Sequence, residues 1–468
     1  MKNRNFSFYL IIISVFIIIV GPELFSNGMF MDGLWYAVIS KNMANGFGSF
    51  WDPHFSETIY FHFREHPPLA FGLQSIFFKI FGDGFLTERI YSLSTFFITG
   101  WIIVLIWRRI PGCKFKSFGW LPLLFWSITP VIFWSAKNNM LENTMMIFTS
   151  LSVLFILKSF SSNKISFLLL AGLMLFLGFL TKGFVAFFPL SMPFWLFIFK
   201  HNYKIKQAFV DTSIMLFGTF FPFLIIFLFS PEGITMLLQY INKQVIGSIT
   251  NIQTVNNRFF IIFRFIQELS PSFIIIAIII VSTRKYRNIK LNNRWIYLFA
   301  FLGLSGIMPI MISMKQSGFY ILPAYPFLSI ALAMTVAERI SSLTGRITDR
   351  GFKVLRLIGF VLFITGMGLA VLNTGKIGRD KEKISDIYKI INSVEKDSVI
   401  SIEPQLYSDW SLHGYFQRYA GISLDYTNYK QHRYLLVNKG HFENFMAKYK
   451  KIPIGSNLYD LYKNPEYK

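Results

Sequence analysis

Residues 6–20 read FSFYLIIISVFIIIV, an uncharged run behind Lys2 and Arg4. At 1.5 Å per helical residue, the stretch from Phe6 to Pro22 reaches about 25 Å, close to the thickness of bilayer hydrocarbon. A secretory signal peptide has the same basic start and apolar middle, but Gly21-Pro22-Glu23-Leu24-Phe25 offers no small-x-small cleavage pattern. The run is therefore expected to stay in place as a first membrane span.

Working outward from it, comparable runs recur near 86–107, 118–136, 142–160, 165–181, 184–199, 209–229, 259–283, 295–313, 318–338 and 356–373. Together with the first they predict about eleven spans. Composition agrees: 53% of residues are hydrophobic, 55 are Phe and only 15% are charged, more apolar surface than a soluble fold of 468 residues can bury. The predicted fold class is an α-helical polytopic membrane protein with amphipathic helices on its outer surface.

The net charge of +22 is read as the bias of Lys and Arg toward cytoplasmic loops rather than as a nucleic-acid footprint. Arg108, Arg109, Lys114 and Lys116, then Lys158 and Lys164, then Lys200, Lys204 and Lys206, all fall on the side of Lys2 and Arg4. So do Arg284, Lys285, Arg287, Lys290 and Arg294, and the group from Arg339 to Arg356. This pattern predicts a cytoplasmic N-terminus, outer loops at 23–85 and 230–258, and an outer C-terminus. The single Cys113 excludes an internal disulfide and a thiolate metal site.

Beyond Thr374 the texture changes. Short β-type runs at Ser398–Ile402 and Tyr434–Val437 alternate with helical patterns at Lys381–Val394 and Phe442–Lys450. The expected organisation is a membrane domain over 1–374, containing the first outer loop 23–85, and a small soluble α/β domain over 375–468. The latter carries no catalytic signature, so packing or positioning of an acceptor is its expected role.

Acids are expensive near a membrane, and their placement is informative. Asp32, Asp52, Glu57, Glu65, Asp83 and Glu88 all lie in or beside the first outer loop, together with His54, His62, His66, Arg64, Trp35 and Tyr36. The spacing from Met31 to Ala44 suggests a surface-lying amphipathic helix with Asp32 near its start. Asp32 can cap that helix, present a carboxylate to a cavity, or do both. Arg64-Glu65-His66-Pro67-Pro68 sets a cation, an acid and an imidazole before two prolines, which hold the preceding chain extended. Read alone it is a stiff entry to a helix over Leu69–Phe81 before it is a site, and Glu65 with His66 supplies too few ligands to specify a metal.

Lys182 lies between two spans on a short turn, Lys315 lies in a short outer turn before Tyr320, and Glu142 opens a span beside Asn138, Asn139 and Asn143. Snorkelling accounts for each separately. Their joint placement on one face of the membrane points to a cavity.

These residues carry a resemblance. An acid before Trp-Tyr-Ala in the first outer loop, Arg64-Glu65-His66-Pro67-Pro68-Leu69, Phe81-Gly82-Asp83-Gly84 near Arg89, Phe179-Leu180-Thr181-Lys182-Gly183-Phe184, and Lys315 before Tyr320-Ile321-Leu322-Pro323-Ala324-Tyr325-Pro326 occur in the order seen in GT-C membrane glycosyltransferases. The chain resembles their bacterial branch, the protein O-mannosyltransferase-like proteins and the aminoarabinose transferases of lipid A. The resemblance implies inverting transfer of a hexose or pentose from a polyprenyl phosphate carrier to lipid A, a glycan or a protein. The site would lie at the outer face of a bacterial inner membrane. It implies Asp32 as general base, and Lys182, Lys315, Arg64, Tyr320 and His66 around the donor phosphate. Tyr36, Glu65 and Glu142 would be further cavity residues, and Glu65 matches a position that helps hold a divalent metal ion in relatives. The sequence departs from the pattern twice. Gly33 follows Asp32 where relatives often have Glu, and His66 stands where Lys frequently precedes the proline pair, which would make phosphate binding depend on pH. A transporter or flippase of lipid-linked sugars, or a polymerase or ligase of surface glycans, would use similar ligands. No internal repeat of the kind transporters show is present.

Overall fold

The computed structural model describes residues 2–161, 163–200, 202–250, 253–284, 293–427, 432–441, 446, 448–465 and 467. Lys285, Arg287 and Lys290 of the basic clusters, and most of the helix expected over Phe442–Lys450, lie outside the described residues. The chain divides into two compact units. One holds residues 1–22, 65–70 and 92–372; the other holds 23–64, 71–91 and 373–468. The division near residue 373 is where the composition changes, and most of the loop expected over 23–85 groups with the C-terminal segment.

In the first unit, nine helices among the described residues are long and apolar enough to cross a membrane. They are Arg4–Leu24, Thr87–Arg109, Leu141–Lys158, Lys164–Lys182, Ile205–Phe229, Phe260–Ser282, Asn293–Ile312, Gly318–Thr344 and Asp349–Leu372. The two other expected spans are each broken in two. Trp120–Ser127 stops before Pro130–Ala136, because the proline cannot donate to the preceding turn. The freed Val131 N–H donates instead to the Glu268 carboxylate at 2.6 Å. Phe184–Ser191 winds as a 3-10 helix containing Pro189 before Met192–Phe199. Of the eleven expected spans, nine correspond to these helices among the described residues and two to the shorter apolar segments 120–136 and Phe184–Phe199.

The interior of this unit is aromatic, with Trp107, Phe125, Trp126, Phe299, Tyr325 and Phe327 fully buried. Outward faces of Ile205–Phe229 and Asp349–Leu372 expose Phe209, Phe217, Phe227, Leu357 and Val361. Such surface is stable only against lipid. Lys164–Lys182 and Ile205–Phe229 cross where a Cβ on Gly172 would come within 2.1 Å of the Met215 carbonyl oxygen. Only glycine allows that approach, and Thr219 Oγ1 uses it to donate to the Gly172 carbonyl at 3.0 Å.

The second unit is built on a five-stranded sheet ordered β2-β1-β3-β5-β4: β1 Val399–Ile402, β2 Ser423–Asp425, β3 Tyr434–Asn438, β4 Lys450–Ile452 and β5 Tyr459–Lys463. β1 pairs in parallel with β2 and β3, while β5 runs antiparallel to β3 and β4. The helices Lys381–Ile391 and Trp410–Ala420 contribute Ile384, Ile387, Leu412 and Phe416 to a core shared with Ile400, Ile402 and Leu436. The predicted runs at Ser398–Ile402, Tyr434–Val437 and Lys381–Val394 correspond to β1, β3 and the first of these helices.

The helix Met31–Ala44 belongs to this unit, and its surroundings differ from the expectation. Gly33 through Asn42 are buried without interruption, so no wet face alternates with a dry one. Trp410–Ala420 covers one side: Trp35 Nε1 donates to the Trp410 carbonyl at 2.8 Å and Lys41 Nζ to the Arg418 carbonyl at 3.2 Å. Arg418 in turn grips the Glu88 carboxylate with Nε at 3.2 Å and Nη2 at 2.8 Å. Such a bidentate pair fixes loop geometry as well as charge. A one-sided amphipathic pattern is found instead in Pro231–Tyr240, where Gly233, Met236, Leu237 and Tyr240 are buried.

Candidate active site

Leu141–Lys158 and Lys164–Lys182 are packed neighbours separated by only five residues in sequence, so they run antiparallel. That topology sets the first turn of one beside the last turn of the other. Glu142 lies in the first turn and Lys182 is the last residue, each at the helix end whose dipole favours its charge. Their side chains form an ion pair. Lys182 is only 11% exposed and Glu142 1%, so the ammonium is paired inside the protein rather than snorkelled into water.

Gly183 makes the chain turn immediately after the lysine. It has φ +88, and a Cβ there would stand 1.8 Å from the Tyr240 hydroxyl. Tyr240 uses this closeness to donate to the Lys182 carbonyl at 3.3 Å. Lys182 Nζ also lies 4.9 Å from the Tyr320 ring centroid and 5.3 Å from that of Phe319, within cation–π range.

These groups line a cavity of 440 Å³ within the membrane unit. Its polar side chains include His66, Glu142, Lys182, Gln244, Lys315 and Tyr320, and its walls include Met145, Phe187, Phe188, Pro309, Ile310 and Ile312. Lys315 Nζ donates to Gln244 Oε1 at 2.9 Å, and Gln244 Nε2 donates to Glu65 at 3.3 Å. Burial, then the charges of Lys182 and Lys315, hold the His66 imidazole well below its usual range. It is therefore neutral at neutral pH. The expected titration of phosphate binding near neutrality is corrected accordingly: the same two lysines that would attract a phosphate disfavour a third cation beside them.

Of the residues singled out in the sequence, the structure brings His66, Glu142, Lys182, Lys315 and Tyr320 onto one cavity, with Glu65 linked to it through Gln244. Arg64 is not among the lining residues. It belongs to the second unit, where its guanidinium meets Asp52 at 2.6 Å and the Trp51 carbonyl at 3.1 Å. Asp32 and Tyr36 belong to the second unit too. Tyr36 is buried, its ring 5.8 Å from that of Phe71. Asp32 lies in the first turn of Met31–Ala44, but the N-cap position is Phe30, which makes no side-chain cap bond. Its spacing suggested a cap; it sits inside the helix instead, where the dipole favours a carboxylate. Glu65 is not part of any group of three or more His, Cys, Asp or Glu close enough to share an ion among the described residues.

Gln244, Tyr240 and Ser248 were not singled out from the sequence, yet all three line the cavity. Their spacing of four residues puts them on one helical face, a signal that was available. The π-helical segment Ile241–Ile246 containing Gln244 was not foreseeable from that spacing.

The sequence model of the family described as dolichyl-phosphate-mannose-protein mannosyltransferase matches residues 65–227. Among solved structures, the chain is similar to ArnT from Cupriavidus metallidurans in the apo state, at 14% identity and a TM-score of 0.68 over 97% of each chain. It is also similar to that protein bound to undecaprenyl phosphate, at 14% identity and a TM-score of 0.66 over 98% of each chain. A further likeness is to the archaeal oligosaccharyltransferase AglB from Archaeoglobus fulgidus in complex with an inhibitory peptide and a dolichol-phosphate. Here identity is 10% and the TM-score 0.51, over 98% of this chain and 74% of that one. No curated protein sequence matches. The chain is a multi-pass membrane protein that shares its fold with ArnT.

Proposed function

We propose that this polytopic protein of GT-C fold is a glycosyltransferase that moves a sugar from a polyprenyl phosphate carrier to an acceptor at the outer face of a bacterial inner membrane. The observation that carries the reading is the convergence of Lys182 and Lys315 on one largely apolar-walled cavity. Two ammonium groups in a low-dielectric recess suit a phosphate joined to a hydrocarbon chain: the cations meet the anion and the walls meet the lipid. The likeness to ArnT, which was crystallised with undecaprenyl phosphate, supports the same donor class. The basic loops favour a cytoplasmic N-terminus and a periplasmic C-terminal domain.

In this reading Asp32 takes the proton of the acceptor group as that group attacks the anomeric carbon from the face opposite the phosphate. The bond from anomeric carbon to phosphate oxygen breaks, and polyprenyl phosphate leaves with the electron pair. Lys182 and Lys315 stabilise the charge that gathers on the leaving phosphate, and the neutral His66 and Tyr320 donate hydrogen bonds to it. A divalent ion is not assigned to Glu65, a single carboxylate already accepting from Gln244.

The test supplies purified protein in lipid with polyprenyl phosphate sugars and extracts of candidate acceptors: lipid A, glycan and protein. Release of polyprenyl phosphate with appearance of one glycosylated acceptor is the expected result, lost on replacing both Lys182 and Lys315 by Ala. Movement of intact lipid-linked sugar across the bilayer without bond cleavage would establish a flippase instead, and transfer of whole chains a polymerase or ligase.

A further inference from the structure

The second unit holds another constellation, and its reading is independent of the glycosyltransfer reading. Two limbs of the loop, residues 52–55 and 60–64, run antiparallel. Phe63 N–H donates to the Pro53 carbonyl at 2.8 Å and Phe55 N–H to the Tyr60 carbonyl at 3.2 Å. Phe55 and Phe63 anchor the two limbs, 0% and 2% exposed, and Phe55 stacks on Trp35 with ring centroids 3.7 Å apart. Asp52 and His54 lie on one limb, and His62 and Arg64 on its partner.

The four side chains meet. His54 Nε2 lies 3.0 Å from Asp52 Oδ2, and His62 Nδ1 lies 2.9 Å from Oδ1 and 3.2 Å from Oδ2. Arg64 Nη2 holds Oδ1 at 2.6 Å. One ligand atom from each of Asp52, His54 and His62 can be chosen so that all three lie within 4.8 Å of one another.

We propose that Asp52, His54 and His62 form a binding site for a divalent transition metal of zinc's chemistry that staples the two limbs of the outer loop. Two imidazoles and one carboxylate are a borderline-soft donor set, which suits Zn²⁺ and its neighbours far better than Mg²⁺ or Ca²⁺. Tetrahedral ligands around Zn²⁺, at bond lengths near 2.1 Å, stand about 3.4 Å apart. The two contacts to Oδ2 are already close to that separation. Arg64 and His62 both reach Oδ1, while Oδ2 lies within 3.2 Å of both imidazoles, so the carboxylate ligates through Oδ2 while the guanidinium orients it, as outer partners of metal ligands do. The buried phenylalanines fix both limbs from behind, so little ordering remains for the metal to impose. The His62 side chain is 57% exposed, which leaves an entry path and an open position for water.

The experiment uses the full chain, free of any affinity tag, in detergent or nanodiscs. After chelation and dialysis it is titrated with Zn²⁺, with Mg²⁺ as control, and bound metal is counted by mass spectrometry. Co²⁺ absorption reports the geometry. The expected result is one Zn²⁺ per chain, with Mg²⁺ failing to compete. His62→Ala and His54→Gln should each weaken Zn²⁺ binding by at least about tenfold, while Arg64→Gln, which removes no ligand, should still bind one equivalent. His62 is exposed enough for its replacement to leave the fold intact, and circular dichroism checks this. Equal Zn²⁺ stoichiometry and affinity in wild type and His62→Ala, or no binding above the Mg²⁺ control, would overturn the proposal and leave an ion-pair network only.

Discussion

Glu142, at the start of one membrane helix, and Lys182, at the end of the antiparallel helix beside it, form an ion pair that is almost wholly enclosed. A pair so placed is a weak stabiliser as a unit, but losing one member leaves an uncompensated charge inside the protein. In the proposed reaction the same ammonium faces the donor phosphate. Glu142 then acts as the counter-ion that holds the Lys182 side chain aimed before the donor arrives.

Glu142→Leu is accordingly expected to cost about 3–5 kcal/mol. Glu142→Leu with Lys182→Met should recover most of that loss while remaining unable to use donor. Thermal unfolding of the three proteins in one detergent measures the stability. A double variant no more stable than Glu142→Leu would show that the pair is not coupled in this way.

Gln244 provides a milder test of the cavity, because its side chain bridges Lys315 and Glu65. Gln244→Ala removes two hydrogen bonds without removing a cation, and each is worth about 0.5–1.5 kcal/mol. The expected outcome is a rise of roughly fivefold to 150-fold in the KM for the polyprenyl phosphate donor, with kcat nearly unchanged. A fall in kcat alone would detach Gln244 from donor binding.

The membrane class, most span positions and the strands β1 and β3 were legible because each rests on local periodicity. The breaks at Pro130 and Pro189 were less so: a hydropathy run does not register the missing amide, and the partner that repairs the first break, Glu268, lies more than a hundred residues away. The same limit applies to Met31–Ala44. Its residues suggested a helix at a wet surface, and contacts distant in sequence, Trp410–Ala420 among them, explain why it is buried. Lys182 and Glu142 could be noticed as misplaced charges. That they pair with each other follows from an antiparallel helix contact, which no single motif states.

His413 gives the second unit a defined acid sensitivity. Burial, opposed by its hydrogen bond to the Tyr407 carbonyl and the charge of Asp409, lowers its pKa from 6.5 to about 4. A depressed imidazole binds fewer protons folded than unfolded, so stability is full above pH 6.5 and is lost as pH falls toward 4. The full loss is about 3 kcal/mol. His413→Gln should flatten the dependence of unfolding on pH in that window, as read from denaturation midpoints between pH 7 and pH 4. An unchanged slope would mean that other groups set it.

Asp32 separates the chemical reading from a structural one. Inside the first turn of Met31–Ala44 its charge interacts favourably with the helix dipole, a contribution of about 0.3–1 kcal/mol. If that were its whole role, Asp32→Asn would lower the unfolding temperature slightly and leave sugar transfer per folded molecule intact. As the general base it makes a different demand: asparagine keeps the size and polarity of the side chain but cannot accept the acceptor's proton. Transfer should then fall by about 10²–10⁴-fold, while binding of the lipid-linked donor, measured by isotherm or protection from unfolding, stays within twofold or so of wild type. Asp32→Glu, which restores a carboxylate at a displaced position, should recover part of the rate. Near wild-type transfer by Asp32→Asn at normal expression would remove Asp32 from the reaction.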